Sequence, residues 1–204
     1  MEPTELLSTF EDVSRHNNQP IIKLAFFTMS KEHSWWKRKW TEWSAWFTGQ
    51  YTEQHIFYDH VELRFSRGQV TSINYNYGRV YMVDEKMLDR SGYSCFYQTS
   101  VTRAQQRRMQ EMAQHFVDKN IPFNLRGMLC NFTPGFKHCL GIDREGQAVF
   151  CSEYIVHVLQ AGGIFVDMEA SKTSPNDLFR AVRHHPDWYA SYNRELSMTK
   201  LHHK

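Results

Sequence analysis

The hydrophobic periodicity of the chain changes near Thr102, and this change constrains the fold more than any other feature. Between Asp59 and Phe65, apolar and polar residues alternate, which is the pattern of a half-buried strand. After Thr102, apolar residues recur about every 3.6 residues as far as Val117, which is the pattern of an amphipathic helix. The chain is therefore predicted to be an α+β protein in which an antiparallel sheet precedes the main helices.

Strands are predicted where short apolar or alternating runs are bounded by turn residues. The loop Ser66-Arg67-Gly68 has hairpin length, so the strands on either side of it are expected to pair antiparallel. The predicted strands are 21–27, 59–65, 69–77, 79–83 and 94–99.

Helices are predicted from periodicity and from their end signals. Thr102 is a natural N-cap, and Ser174-Pro175 places Ser at a cap and Pro at the first helical position. The predicted helices are about four turns from Thr102, then 123–132, 151–159, and a last helix that runs through Val182. No pattern is visible after Pro186.

This organisation predicts one principal domain. Residues 1–20 are expected to be an N-terminal extension, 21–185 the domain, and 186–204 a C-terminal tail. No internal repeat and no low-complexity linker divides it, and no feature of the sequence specifies an oligomeric state.

A tryptophan-rich segment, 35–47, has helical spacing, with Lys37-Arg38-Lys39 on its polar side. Packing into the core is the main interpretation of these aromatic residues. The alternative is a surface that meets a membrane or acyl chains.

Charge and composition exclude several classes of protein. With 24 Lys+Arg against 22 Asp+Glu, the net charge is +2, so no nucleic-acid partner is expected. No run of 18 apolar residues suggests a membrane span, and the N-terminus lacks the pattern of a signal peptide. A cytoplasmic location is therefore expected.

Neither a disulfide scaffold nor a metal site is predicted. The 4 cysteines are too sparse for a disulfide framework, which favours a reducing compartment. The spacing of the Cys and His residues in the second half matches no zinc-ligand pattern, so no metal and no cofactor is expected. The residues considered were Cys130, His138, Cys139, Cys151 and His157.

Cys151 and His60 are the candidate catalytic pair. Cys151 stands at the predicted start of a helix, where the dipole and unpaired N–H groups stabilise a thiolate and could receive an oxyanion. His60 shares the polar face of its strand with Glu62 and Arg64. A cysteine nucleophile and a histidine base need only be close in space. The alternative is a small buried cysteine and a surface histidine.

The surroundings of both residues resemble the circularly permuted papain-like cysteine hydrolases of the NlpC superfamily. Residues 59–68 are similar to the histidine strand of that group, and 150–163 to its nucleophile helix. Shorter segments resemble its other recurring elements: 46–49, 123–127 and 174–178. The histidine precedes the cysteine, which is the permuted order.

The resemblance implies a permuted papain-like fold, with the sheet that holds His60 packed against the helix that begins at Cys151. It also implies acyl chemistry on a thiol, with an amide, ester or thioester as substrate. Members occur in bacteria, in phages and in large DNA viruses, so the virion or host cytoplasm is the expected location of a viral member.

A third catalytic residue is less defined. In the group, a polar side chain on the strand after the histidine orients the imidazole. The hairpin places Ser72 there, with Asn74 on the same face as an amide alternative. Glu62 is another candidate, although residues i and i+2 of a strand lie about 7 Å apart.

The predicted function is a cysteine-dependent hydrolase or acyltransferase, with Cys151 as nucleophile and His60 as base. Two alternatives stay open: a catalytically silent module that binds a ligand or protein on the same fold, and a membrane-associated enzyme that handles lipid acyl chains.

Overall fold

The structure is a computed structural model that describes residues 19–28, 58–73, 77–88, 93–125, 127–128 and 148–193. Within these ranges the chain forms six strands and three α-helices. In chain order they are β1 (Ile21–Thr28), β2 (Tyr58–Arg64), β3 (Gln69–Ile73), β4 (Val80–Asp84), β5 (Tyr93–Ser100), α1 (Arg103–Asp118), α2 (Cys151–Ala161), α3 (Pro175–His184) and β6 (Tyr189–Asn193).

The six strands form one antiparallel sheet in the order β4-β3-β2-β1-β5-β6. β1 lies inside the sheet, and its Leu24 is opposite Leu63 of β2 and Tyr97 of β5. The predicted α+β class is confirmed.

The β2–β3 hairpin turns through two residues with left-handed backbone. Arg67 has φ 78° and Gly68 has φ 80°, the geometry whose twist matches that of paired strands. The N–H of Phe65 donates to the carbonyl of Gln69 at 2.8 Å and closes the turn. β3 is described from Gln69 to Ile73, and Tyr77, the last residue of the predicted strand, lies in a turn.

The apolar face of β2 lies in the core, as its alternation predicts. Val61 and Leu63 are fully buried, together with Leu24 of β1 and Ile155 of α2. Each such side chain contributes about 1.5–3 kcal/mol of burial free energy. The polar face of the strand is buried as well: Glu62 is 5 % exposed and Arg64 7 %.

Both predicted caps are confirmed. Thr102 and Gln105 form a reciprocal capping box at the start of α1, with N–H to side-chain oxygen distances of 3.1 and 2.9 Å. Ser174 and Asp177 form the same device at the start of α3, and Pro175 occupies its first position. α1 packs closely on the end of α2.

A strand follows Pro186, where the sequence showed no pattern. Tyr189–Asn193 forms β6, which pairs with β5 and extends the sheet past residue 185. β6 is a short outer strand of the described sheet, and Tyr189 at its start is 38 % exposed. Pairing with β5 therefore determines the conformation of β6.

Several predictions lie outside the described residues. These are the tryptophan-rich helix, most of the N-terminal extension, Asn74, His138, Cys130 and Cys139. Of the predicted helix at 123–132, Leu125, Gly127 and Met128 are helical, and the other positions are not all described. No helix in the described ranges is long and apolar enough to cross a membrane.

Candidate active site

Cys151 is the first residue of α2 and is only 3 % exposed. The chain reaches it through an extended segment held by a short parallel bridge between Phe123 and Val149. The N–H of Asn124 donates to the carbonyl of Val149 at 2.9 Å, and the N–H of Val149 donates to Pro122 at 3.1 Å. The position of the thiol is therefore fixed from both sides, by this bridge and by the helix.

In the segment 123–127, a hydrogen bond explains why glycine occupies position 127. Oδ1 of Asn124 accepts a hydrogen bond from the N–H of Gly127 at 2.6 Å. A Cβ atom at Gly127 would lie 2.3 Å from Nδ2 of Asn124, a distance at which the amide must move. Glycine at this position allows Asn124 to close the turn.

Buried polar groups fix the first turn of α2. Oγ of Ser152 donates to the carbonyl of Thr173 at 2.7 Å, and the N–H of Phe150 donates to Oε2 of Glu153 at 3.3 Å. A carboxylate is favourable at this end of a helix because the helix dipole is positive there. The backbone N–H groups that follow Cys151 lie where an oxyanion could be received.

His60 lies on β2 opposite Phe27 of β1, and the two rings are 5.3 Å apart between centroids. The His60 side chain is 18 % exposed. Its Nε2 is buried and lies 3.7 Å from Oε1 of Glu62, with no hydrogen-bond partner at normal distance among the described residues.

The structure brings Cys151 and Glu62 to the same imidazole. Burial lowers the pKa of His60, but hydrogen bonding to Cys151, the nearby carboxylate of Glu62 and the charges of both groups outweigh burial and raise the pKa to about 10. This shift favours the protonated form of the imidazole.

Glu62 belongs to a buried polar row on β2. Its Oε1 accepts a hydrogen bond from the Tyr81 hydroxyl at 2.9 Å, and its Oε2 lies 3.9 Å from Nη2 of Arg64. Arg64 in turn pairs with Glu85 and lies 4.8 Å above the ring of Phe96. Burial and the charge of Glu62 raise the pKa of Tyr81, so this hydroxyl is a donor.

Ser72 is not placed beside the imidazole in the same way. Its Oγ donates to the carbonyl of Val61 at 2.7 Å, and it is a hydrogen-bonding neighbour of Tyr81. Of the three residues considered from sequence to orient His60, Glu62 lies 3.7 Å from its Nε2, and Asn74 lies outside the described residues. Their catalytic roles stay predictions.

Two residues of the site were missed from sequence. Asn176 is fully buried, and its amide binds both backbone polar groups of Tyr58: the N–H donates to Oδ1 at 3.1 Å, and Nδ2 lies 3.5 Å from the carbonyl. Its signal was the Ser-Pro-Asn-Asp sequence, which was interpreted as a helix start and as a segment of the resemblance, but not as a source of a buried amide. Nothing in the sequence indicated that Tyr81 belongs to the site, because only the strand register places it near Glu62.

A separate surface pocket of about 360 Å³ lies between the start of β6 and the loop after α2, lined by Phe165, His185, Asp187 and Trp188 among others. Nδ1 of His185 lies 3.9 Å from Oδ2 of Asp187, but both side chains are well exposed, so the pair is weak. Among the described residues that line this pocket there is no cysteine.

Cys95 and Cys151 are both buried. Cys95 lies on β5, where its Sγ donates to the hydroxyl of Tyr58 at 3.5 Å. In the part of the chain that the structure describes, no group of three or more His, Cys, Asp or Glu residues could hold a metal ion.

Comparisons with protein families, with curated proteins and with solved structures find no match for this chain.

Proposed function

We propose that the protein is a cysteine-dependent hydrolase or acyltransferase with a permuted papain-like fold, acting on an amide, ester or thioester. The observation that supports this most is the convergence of Cys151 and Glu62 on His60. Two chemically complementary groups from distant segments, the thiol and the carboxylate, meet at one imidazole beside a helix N-terminus.

The protonated imidazole indicates how the reaction begins. With the proton on His60, the sulfur of Cys151 attacks as a thiolate, which is the nucleophilic form of cysteine. The Sγ–C bond forms at the acyl carbon, and the oxyanion is received by N–H groups of the first turn of α2. The bond to the leaving group then breaks as that group takes the proton from His60.

The second half restores the enzyme. Neutral His60 takes a proton from water as the water oxygen bonds to the acyl carbon, and the Sγ–C bond breaks to release the acid. With an alcohol or amine in place of water, the same steps transfer the acyl group. Glu62 stabilises the imidazolium in both halves.

Two further features support the fold assignment. The strand with His60 precedes α2 in the chain, which is the order expected of the permuted group. In addition, Asn124 of the 123–127 segment bonds to Val149 near Cys151, and Asn176 of the 174–178 segment bonds to Tyr58 near His60. An acyl compound is the proposed partner.

The experiment is covalent labelling with a panel of peptide, ester and thioester electrophiles. Wild-type protein should form a single adduct at Cys151, Cys151→Ala should form none there, and His60→Asn should label at least about a hundredfold more slowly. Cys95→Ala is the matched control, because it removes another buried thiol, and it should label as the wild type does.

Labelling of Cys151 at the same rate in wild type and His60→Asn would contradict the enzyme proposal. In that outcome the same fold would be better interpreted as a silent binding module. Liposome flotation tests the alternative of a membrane-associated enzyme that handles lipid acyl chains. That alternative requires the protein to bind to vesicles.

A further inference from the structure

Each oxygen of the Glu62 carboxylate has its own neighbours. Oε1 accepts the Tyr81 hydroxyl at 2.9 Å and lies 3.7 Å from Nε2 of His60, while Oε2 lies 3.9 Å from Nη2 of Arg64. The carboxylate is thus shared between an imidazole and a guanidinium, and Tyr81 bonds to the oxygen on the imidazole side.

Without the hydrogen bond from Tyr81, the Glu62 carboxylate would be drawn toward Arg64. Arg64 presents a planar fork that pairs with carboxylates through two parallel hydrogen bonds, which is a stronger arrangement than a single contact with an imidazole. Glu62 has three rotatable side-chain bonds, so its carboxylate can turn from one of these partners to the other. A fixed donor on the imidazole side opposes this rotation.

Tyr81 is well fixed for that purpose. It lies on β4, is 7 % exposed, and is opposite Ser72 of β3 in register. Oγ of Ser72 is itself anchored to the carbonyl of Val61 on β2 at 2.7 Å. The backbone carbonyl of Tyr81 accepts a hydrogen bond from Thr71 at 2.8 Å. Three neighbouring strands therefore hold the hydroxyl in place.

We propose that Tyr81 is a positioning residue that keeps the Glu62 carboxylate turned toward His60 and away from Arg64, with Ser72 supporting Tyr81. The proposal rests on the proposed function, in which His60 serves Cys151. It gives Ser72 an indirect role in place of direct contact with the imidazole.

The test compares Tyr81→Phe with Tyr154→Phe. Both changes remove one buried tyrosine hydroxyl and keep the ring, but the Tyr154 hydroxyl contacts Thr71 and not Glu62. The pKa of His60 is measured by NMR from its ring protons, and the rate of Cys151 alkylation by iodoacetamide is measured at pH 7. Urea unfolding reports the stability of each variant.

In Tyr81→Phe the pKa of His60 should fall by about one unit, because Glu62 contributes less to the imidazolium. The imidazole stays protonated at pH 7 even after this fall, so the alkylation rate at that pH should stay within about twofold of the wild-type rate. In Tyr154→Phe both should stay at the wild-type value, even where stability falls. An unchanged or raised pKa of His60 in Tyr81→Phe would overturn the proposal, and so would an equal fall in both variants.

This outcome is independent of the proposed function. The pKa of His60 is measured without a substrate. An unchanged pKa in Tyr81→Phe would therefore leave the labelling results for Cys151 and His60 unaffected. Conversely, Cys151 could fail as a nucleophile while Tyr81 still moves the pKa of His60.

Discussion

Nε2 of His60 lies 3.7 Å from Oε1 of Glu62, two residues further along the same strand. Extended geometry separates such residues by about 7 Å between their Cα atoms, so the side chains must lean toward each other to make this contact. Tyr81, from a strand two places away in the sheet, bonds to the same oxygen. A carboxylate from the histidine strand itself thus occupies the place beside the imidazole.

Glu62→Gln should reduce the rate of Cys151 labelling far more than Ser72→Ala. Glutamine keeps the size of the side chain but removes the charge that stabilises the imidazolium, and a loss of about tenfold or more is expected. Ser72→Ala should change the rate by about threefold or less, since its effect passes through Tyr81. The measurement is the second-order rate of iodoacetamide labelling at pH 7, with circular dichroism as the control for folding. Equal losses in the two variants would contradict the assignment of Glu62.

The stability that His60 contributes should disappear at high pH. Its pKa is raised from 6.5 to about 10, so the folded state binds the proton more tightly than the unfolded state does. The contribution is therefore fully present below about pH 6.5 and is lost as the pH rises toward 10. Urea unfolding of wild type and His60→Gln across this range should show a difference that shrinks with increasing pH.

A residue of α1 that carries no titratable group is the control for that experiment. Gln110→Ala should give a difference from wild type that stays nearly constant over the same range. A difference for His60→Gln that grows with pH would show that the pKa of the imidazole is lowered in the folded state.

Asn176→Ala should destabilise the protein by about 2–4 kcal/mol, because it leaves both backbone polar groups of Tyr58 without their partner in a buried place. Gln110→Ala removes an exposed amide that bonds only to Gln69 and should cost about 0.5 kcal/mol or less. Both are measured by urea unfolding. A loss for Asn176→Ala no larger than that of the control would mean that β2 keeps its position without this link.

Gly127→Ala should destabilise the segment that leads into Cys151 by about 1–3 kcal/mol, since the added methyl group would overlap the amide of Asn124. The cost should be smaller in an Asn124→Ala background, where the overlapping amide is absent. A double-mutant cycle by urea unfolding measures this coupling. Additive effects of the two changes would exclude the proposed clash.

The local features of this chain could be predicted from its sequence. The caps at Thr102 and Ser174, the hairpin at Ser66–Gly68 and the start of a helix at Cys151 all depend on residues within four positions of each other. Interactions at such short separation form in the same way whatever surrounds them. The alternation of β2 predicted its apolar face for the same reason.

The contacts between residues that are far apart in the sequence were decided by the tertiary structure. The roles of Glu62 and Ser72 depend on strand register, which brings Tyr81 to Glu62, and the position of Tyr58 depends on Asn176, 118 residues away. β6 forms because β5 offers it a partner, although its own sequence shows no strand pattern. A single sequence contains no measure of such distant pairings, because they arise from the packing of whole elements and not from the spacing of residues along one of them.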